Sequence, residues 1–355
     1  MNDRQICWDL LPKVSRSFAL CIRVLPEPLT EQMMLSYLIY RVIDTIEDSS
    51  APRPIKKELF AQFTALLTRR SYSAPRVQAV RAALLSELNY TYEKELLENL
   101  PAVLAQYHAL PLRVRGSIRR WGRVMARGMY DFQDKKIKTF ADQDRYAYYV
   151  AGVIGYLFND LLYYNRVIDA GLRRRLRTPA RRFGQALQKV NILRDVAHDV
   201  PQQRYYWPAR LLSKYRLTYR TLCEPGNREQ AMSALNEVIE NALDYLFSGM
   251  YYVLSLPQSA VRVRMFCIIP LFMAIESYIK CIRNRDIFAS EKTVKISREQ
   301  VTDIVSKSTL WGSSNAQLTS WFMGTMARAN PRLLKTPAAR ALLRVTAAPA
   351  PVRSK

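Results

Sequence analysis

Apolar residues recur along most of this chain at the three- and four-residue spacing of an amphipathic helix. In the segment 56–69, one stripe carries Leu59, Phe60, Phe63, Leu66 and Leu67. The same period predicts further helices over 31–46, 81–88, 97–107, 115–130, 141–165, 184–198, 228–256 and 261–281. No segment alternates apolar and polar residues between turn signals, so the pattern predicts an all-α fold.

Proline-containing breaks separate the predicted helices. They lie at Pro26, Pro28, 49–54, Pro75, Pro179, Pro201 and Pro225. None of them opens a long polar linker, so we expect one domain over residues 1–335. Residues 336–355 are rich in Ala and Pro and carry basic but no acidic residues. This change of composition predicts a basic, mobile tail.

The composition excludes several classes of protein. The chain has 355 residues, of which 49% are hydrophobic and only 11 are Gly. These values exclude a disordered or collagen-like chain and argue against an all-β protein rich in tight turns. Lys and Arg number 54 against 30 Asp and Glu, which leaves a net charge of +24. Such a surplus predicts an anionic partner, either nucleic acid, an acidic membrane surface or a phosphorylated substrate.

Cysteine and histidine usage indicates the compartment. The five Cys residues show no paired spacing, which is typical of reduced thiols in a cytoplasmic protein. Two His residues make a His-rich zinc site improbable. No apolar run is long enough to cross a membrane, and residues 1–20 lack the apolar core of a secretory signal. We therefore expect a cytoplasmic, monomeric protein, with peripheral contact to an anionic membrane at its inner face.

Three carboxylates cluster near the end of the predicted helix 31–46. Asp44, Glu47 and Asp48 share one helix face by their spacing. Like charges at this spacing repel, and acids are disfavoured at the C-terminus of a helix. Because the preceding helix is too apolar for a free surface helix, the cluster predicts a site for a cation rather than a solvated helix end.

A second acidic pair repeats the pattern. Asp195 and Asp199 are also four residues apart, at the end of the predicted helix 184–198 and just before Pro201. If the two clusters face each other, they form a cage of oxygen ligands. Oxygen ligands together with diphosphate suit Mg²⁺, or Mn²⁺ in its place. The surplus of Arg and Lys would supply further contacts to phosphate.

Several motifs resemble those of the squalene and phytoene synthase family, and the squalene synthases most closely. The motifs are SRSF (15–18), DTIED (44–48), YAYYVAGVIG (146–155), RDVAHD (194–199), QQRYYWP (202–208), MFCIIPLFMA (265–274) and VKISREQV (294–301). Their order and spacing fit the family from about Trp8 to Leu334. The resemblance implies an all-α, single-domain helical bundle of the isoprenoid-synthase type around a central apolar cavity.

The resemblance also implies roles for individual residues. Metal and diphosphate would be held by Asp44, Glu47, Asp48, Asp195 and Asp199. Further substrate contacts would come from Ser15, Arg16, Ser17, Tyr37, Arg41, Asn191, Arg194 and Arg204. Tyr149 would take part in proton transfer, and Phe266 and Cys267 would line the pocket that shields a carbocation. NADPH would be bound by Asn191, Arg204, Lys295 and Arg298.

The function implied is Mg²⁺-dependent, head-to-head condensation of two farnesyl diphosphates to presqualene diphosphate. NADPH-dependent reduction to squalene would follow. Three departures from the family pattern bear on these steps. His198 replaces a Glu of the second acidic motif, Ser297 replaces a basic residue, and Leu271 replaces a common Gln. These departures affect the expected reductive step more than the expected condensation.

Other functions stay open at the level of sequence. A non-reductive relative would stop at presqualene diphosphate, dehydrosqualene or a hydroxylated product, and another would use a different prenyl acceptor. A non-catalytic basic protein would bind membranes or nucleic acid. The basic segment 172–182 lacks any zinc-finger, helix-turn-helix or RNA-binding signature. It therefore favours a solvated loop or a membrane-surface patch, and we expect no nucleic-acid partner.

Overall fold

The computed structural model describes residues 2–329 apart from 88–90, 290 and 293, together with 336, 337, 339, 340, 342 and 343. Every regular element in these residues is helical, and none of them forms a strand. The prediction of an all-α fold is confirmed. Most of the predicted tail at 336–355 lies outside the described residues, so its mobility stays a prediction.

Eighteen α-helices follow one another along the described chain. They are α1 (Asp3–Val14), α2 (Arg16–Arg23), α3 (Leu29–Asp48), α4 (Arg53–Leu66), α5 (Ala74–Ser86), α6 (Thr91–Glu98), α7 (Leu100–Ala109), α8 (Leu112–Phe132), α9 (Phe140–Ala147), α10 (Val153–Tyr164), α11 (Ala170–Arg175), α12 (Arg177–Arg194), α13 (Val196–Asp199), α14 (Ala209–Lys214), α15 (Arg228–Ser255), α16 (Val261–Cys281), α17 (Arg298–Trp311) and α18 (Asn315–Ala329). Short 3₁₀ turns lie at Arg69–Ser71, Val200–Gln202, Pro225–Asn227 and Arg285–Phe288, and a π turn at Tyr148–Gly152.

Two long predicted helices are interrupted in the structure, and the prediction of one helix over 97–107 is wrong at Asn99, which lies between α6 and α7. The prediction of one α-helix over 141–165 is wrong at its centre, because the π turn Tyr148–Gly152 separates α9 from α10. The prediction over 184–198 is wrong at Asp195, whose backbone (φ −96°, ψ 11°) leaves the helix between α12 and α13. Periodicity cannot show either break, since the apolar spacing continues through both.

The described chain divides into two compact units. The first comprises 1–136 and 148–174, and the second 137–147 and 175–355. Each unit has a buried apolar core of its own. The prediction of a single domain over 1–335 stays a prediction. None of the described helices is both long and apolar enough to span a bilayer.

In the first unit, α3 is buried along most of its length and packs on α1, α4 and α8. A buried carboxylate ties α8 to α10. Asp160 of α10 accepts hydrogen bonds from Ser117 Oγ (2.6 Å) and Trp121 Nε1 (3.0 Å) of α8. Arg173 Nη2 donates to the other oxygen of Asp160 at 2.6 Å. This hydrogen-bond network fixes α8 against α10, and α8 in turn supports the ring of Tyr149.

In the second unit, α12 packs on α15 and α16. Lys189 of α12 is buried, and its Nζ lies 2.5 Å from Asp144 Oδ1 of α9. The same Nζ donates to the side-chain oxygens of Gln143 (3.0 Å) and Asn241 (2.5 Å). Because a buried ammonium needs such partners, this cluster fixes α12, whose far end carries the second acidic pair.

Candidate active site

The first carboxylate cluster lies at the end of α3. Asp44 and Glu47 are half-buried and Asp48 is exposed. Arg41, one turn before Asp44, places its Nη1 3.8 Å from Asp44 Oδ2. Its Nη2 donates to Glu93 Oε1 of α6 at 2.6 Å. The arginine is therefore shared, and its closer contact is with Glu93.

The electrostatics of Asp44 favour a cation. Burial raises its pKa to about 7, Arg41 opposes this rise and Asp48 adds to it. The charged form of Asp44 is thus only partly neutralised by its protein surroundings. A hard divalent cation with oxygen ligands would relieve this imbalance, so the donor set fits Mg²⁺.

Ser15 and Tyr37 meet beside this cluster. Their side chains are hydrogen-bonded, and the Tyr37 ring packs on Phe18 with 5.5 Å between ring centroids. Ser15 also caps α2, since its Oγ accepts from the Phe18 amide at 3.2 Å. Ser17 is exposed. Through Ser15 and Tyr37, the N-terminal motif thus contacts α3, the helix that carries the first acidic motif. The side chain of Arg16 lies outside the described part of the structure.

The second cluster surrounds the break after α12. Arg194 binds the carboxylate of its neighbour Asp195 through Nε (2.7 Å) and Nη2 (2.5 Å). The Asp199 amide donates to the Asp195 carbonyl oxygen at 2.9 Å. The two acids therefore remain one helical turn apart although Asp195 has left the helix.

The surroundings of the half-buried Asp199 disfavour its charged form. Burial raises its pKa to about 6, with a further rise from Asp195 and an opposing effect of Arg204. The Arg204 amide donates to the Asp199 carbonyl oxygen at 3.0 Å, which keeps that arginine close. His198 is 71% exposed, and its Nδ1 lies 3.9 Å from Asp199 Oδ1. The exposed Asn191 precedes Asp195 by one turn, and its carbonyl oxygen accepts from the Asp195 amide.

Tyr149 lies in the π turn of the first unit. Its ring rests directly on Gly128 of α8, where an added Cβ would stand 2.0 Å from Tyr149 Cγ. The rings of Tyr148 and Phe132 flank it, with centroids at 5.0 Å and 6.1 Å. Single π turns inside α-helices are frequent at functional sites. The position of Tyr149 therefore depends on the absence of a side chain at residue 128.

The residues expected around a carbocation and a cofactor all lie in the second unit. Phe266 and Cys267 are buried in α16. Lys295 and Arg298 are exposed, just before and at the start of α17. Ser297 caps that helix in a reciprocal arrangement with Gln300, so its hydroxyl is committed to the helix end. Leu271 is buried against Gly249, as an apolar residue of the core.

Glu93 and Gly128 are residues that sequence reasoning missed. Glu93 is distant in sequence from Arg41, and no local motif marks it. Gly128 gave a weak signal, because an isolated Gly inside a helical pattern often has a packing reason.

Among the described residues, no three acidic, His or Cys side chains are grouped closely enough to hold a metal ion unaided. The acidic side chains of each cluster could instead supply some of the ligands of a cation, with water or phosphate oxygens as the others. Mg²⁺ in proteins is commonly bound by one or two carboxylates, with water and substrate phosphates completing its shell. The arrangement therefore suits a metal that arrives with a phosphorylated substrate.

The comparison with known families agrees with the motifs. The model of the squalene/phytoene synthase family matches residues 11–300. The chain belongs to this family. Family membership, which the motifs predicted, is therefore confirmed. The match begins at residue 11, close to Trp8, where the resemblance of the motifs begins.

Similar members of the family are squalene synthases. The one from Schizosaccharomyces pombe is 29% identical over 314 residues, covering 84% of this chain and 64% of that protein. The one from Dictyostelium discoideum is 30% identical over 305 residues, covering 86% of this chain and 70% of that protein. The chain spans a little under two thirds of the length of the first of these and of several other relatives that it matches.

Solved structures show the same fold. A complex of TcSQS with the ligand E5700 has a TM-score of 0.82 and 28% identity, covering 97% of both chains. A dehydrosqualene synthase complex has a TM-score of 0.57 at 18% identity, which shows the fold alone. The isoprenoid-synthase-type helical fold predicted from the motifs is confirmed.

Proposed function

We propose that this protein condenses two farnesyl diphosphates head to head and then reduces the product to squalene. The observation that carries the proposal is a pair of acidic clusters, each half-buried at a helix end and each next to an arginine. Membership of the squalene/phytoene synthase family supports it. We propose that both clusters serve one reaction, within a single domain spanning residues 1–335.

The acidic residues would hold the metal. They are Asp44, Glu47, Asp48, Asp195 and Asp199. When bound, Mg²⁺ supplies positive charge that neutralises a leaving diphosphate. The raised pKa values of Asp44 and Asp199 support this role, because each carboxylate lacks full compensation from the protein.

Basic and hydroxyl groups of the chain would bind and orient the diphosphates. They are Ser15, Arg16, Ser17, Tyr37, Arg41, Asn191, Arg194 and Arg204. Charge builds on the diphosphate as the bond to C1 of the prenyl chain breaks, so fixed cations stabilise the transition state. In the present state Arg41 is bound to Glu93 and Arg194 to Asp195. We expect both guanidinium groups to share their charge with the diphosphate when substrate binds.

The first half of the reaction needs a proton acceptor. The C2–C3 double bond of one farnesyl group attacks C1 of the other, and loss of a proton closes the cyclopropane ring of presqualene diphosphate. We propose that the proton passes to the departed diphosphate with the Tyr149 hydroxyl as a relay. The packing of Tyr149 on Gly128 supports this role, since it holds the ring in one place.

The second half begins when the C–O bond of presqualene diphosphate breaks and the second diphosphate leaves. The resulting carbocation needs an apolar pocket without water and a hydride donor. Phe266 and Cys267 would exclude water from the rearranging carbocation, and their burial in an apolar helix supports that task. NADPH supplies the hydride when bound. Lys295, Arg298, Asn191 and Arg204 would bind it, and the first two are exposed cations at the start of α17. Ser297 does not strengthen this site, since its hydroxyl caps the helix.

Because squalene is insoluble in water, we also propose that this protein is cytoplasmic and monomeric and that it contacts an anionic membrane surface. The net charge of +24 supports such a contact. We propose no nucleic-acid partner.

Product analysis tests the reaction. Purified protein is incubated with farnesyl diphosphate and Mg²⁺, with and without NADPH, and the extracts are analysed by mass spectrometry. We expect presqualene diphosphate without NADPH and squalene only with it. Presqualene diphosphate, dehydrosqualene or an alcohol in both samples would refute the reductive step alone. Unchanged substrate in both would contradict the condensation as well.

A further inference from the structure

A cationic groove lies on the first unit, between α4 and α8. Its volume is about 840 Å³. Six basic residues line it, namely Lys57, Arg113, Arg119, Arg120, Arg123 and Arg127. No acidic side chain lines it among the residues that the structure describes. None of these six residues has been assigned a role in the reaction proposed above.

Among the residues that the structure describes, much of this charge is not neutralised by ion pairs. Arg127 lies 3.8 Å from Asp131, at the C-terminal end of α8. The guanidinium of Arg113 stands over the ring of Tyr164 at 5.7 Å. Arg120 and Arg123, in the middle of the groove, are exposed. Several like charges along one helix repel each other, so their arrangement calls for an anion.

The floor of the groove is open at a glycine. Gly116 lies inside α8, where glycine is unfavourable for a helix. A Cβ added there would meet no atom within 4 Å, so no packing within the described protein requires glycine at this position. The space above Gly116 is thus available to a ligand.

An exposed leucine begins the same helix. Leu112 is 78% exposed, and its spacing from Gly116, Arg119 and Arg123 places it on the groove side of α8. An aliphatic side chain beside a row of cations matches the boundary between lipid headgroups and acyl chains.

We propose that this groove binds the phosphate-bearing headgroups of an anionic membrane. Arg120, Arg123 and Arg127 bind the phosphates, and Leu112 enters the apolar boundary below them. A nucleic acid fits less well, because stacking faces in the groove are already covered. Arg53 stands over Tyr130 at 4.5 Å, and Tyr164 faces Arg113.

The sequence pointed to a different basic segment, 172–182. In the structure, two arginines of this segment are engaged in contacts within the protein. Arg173 binds Asp160, and Arg182 donates to Ser248 Oγ at 2.8 Å and lies over the Tyr245 ring. Arg174 and Arg175 of this segment are exposed, as are the central arginines of the groove. The groove between α4 and α8 is the better candidate because it also has the exposed Leu112 on the same side.

The inference rests on the membrane contact proposed above but not on the prenyl chemistry, so its test needs no substrate. Sedimentation is measured with vesicles of phosphatidylglycerol and phosphatidylcholine, and with vesicles of phosphatidylcholine alone. We expect wild-type protein to bind only the anionic vesicles, and less at high salt. No binding at low salt would refute both the membrane contact and the groove.

Two triple variants separate the groove from net charge. Arg120, Arg123 and Arg127 are replaced by Gln in one, and the exposed Arg76, Arg210 and Arg220 by Gln in the other. Both lose three positive charges. Each basic residue near an anionic surface contributes about fivefold in affinity, so the groove variant should bind about a hundredfold more weakly. The matched variant should stay within about tenfold of wild type. Equal losses in both, or no loss in the groove variant, would overturn the assignment.

Single variants provide a second test. Gly116→Glu places an opposing charge on the groove floor, and Gly324→Glu is its control, since a Cβ at Gly324 also meets nothing within 4 Å. We expect about fivefold weaker binding for the first only. Leu112→Ser should also weaken binding, whereas Leu310→Ser, at a leucine that is 70% exposed, should not. Thermal melting of each variant checks its fold, and an unaffected Gly116→Glu protein would contradict the proposal.

Competition identifies the source of the phosphate. Inorganic diphosphate and duplex DNA are added to wild-type protein on anionic vesicles, at matched ionic strength. We expect neither to release the protein. Release by diphosphate would show that the groove takes free phosphate, and release by DNA would show a nucleic-acid surface. Either result would overturn the assignment to lipid.

Discussion

The two acidic pairs share one spacing in the sequence but differ in local structure. Asp44 and Asp48 lie on the continuous helix α3, whereas Asp195 lies at a break and Asp199 in the short helix α13. The two pairs also differ in how they contact the neighbouring arginine side chains. Asp195 is bound at two points by Arg194, while Asp44 is 3.8 Å from an arginine whose closer partner is Glu93.

This difference indicates how each pair would meet a metal. Burial raises the pKa of both Asp44 (to about 7) and Asp199 (to about 6), so the pairs differ mainly in their arginine contacts. Arg194 binds Asp195 at two points, whereas Arg41 lies closer to Glu93 than to Asp44. We therefore expect the first pair to depend more strongly on an added cation. The second pair is partly preorganised, because Arg194 already holds Asp195.

The largest effect is expected from removing one charge of either pair. Asp44→Asn and Asp199→Asn should each lower the rate of presqualene diphosphate formation by about a hundred- to a thousandfold, since each removes a group that acts on developing charge. Asp131→Asn, at a half-exposed acid outside both clusters, is the control and should be near wild type. Near-normal activity of Asp199→Asn would show that the second pair is not part of the site.

A buried carboxylate outside the clusters should affect stability instead. Asp160→Ala leaves Arg173 without its carboxylate partner and removes the acceptor of Ser117 and Trp121. Breaking a buried ion pair in this way lowers the free energy of unfolding by about 3–5 kcal/mol. Urea unfolding measures this loss, and a value near zero would contradict the structural role of Asp160.

Tyr149 should contribute less than the metal-binding acids. Tyr149→Phe removes the hydroxyl but keeps the ring, so we expect activity to fall about a hundredfold with little change in melting temperature. Gly128→Ala should also lower activity, since its Cβ would collide with the Tyr149 ring. Full activity of Tyr149→Phe would exclude the proton relay.

The smallest effect is a dependence of stability on pH. The native pKa of Asp44, about 7, lies above its ordinary value of 3.8. Between these values the native state holds more protons than the unfolded state, so the free energy of unfolding falls as pH rises. Urea unfolding without metal should show a shallower fall in Asp44→Asn than in wild type, and added Mg²⁺ should reduce the difference. Identical pH profiles would contradict the raised pKa.

The sequence predicted the all-α fold and the family, because apolar periodicity and short motifs are local signals. It brought out the five acids, and Ser15 and Tyr37, both named from the resemblance as substrate contacts, are hydrogen-bonded to each other. It did not reveal the break at Asp195, the π turn at Tyr149 or the contact of Arg41 with Glu93. Those features depend on side-chain contacts, and periodicity continues unchanged through both breaks.

The central claim is that both acidic pairs bind diphosphate through a metal. The most direct test is calorimetric titration of farnesyl thiodiphosphate, which ionises poorly, into wild-type, Asp44→Asn, Asp199→Asn and Asp131→Asn proteins with and without Mg²⁺. We predict that Mg²⁺ tightens binding in the wild type and in Asp131→Asn, and that each of the other variants loses this effect. Tight binding that is independent of Mg²⁺, or a variant of either pair that keeps the full Mg²⁺ effect, would contradict the account.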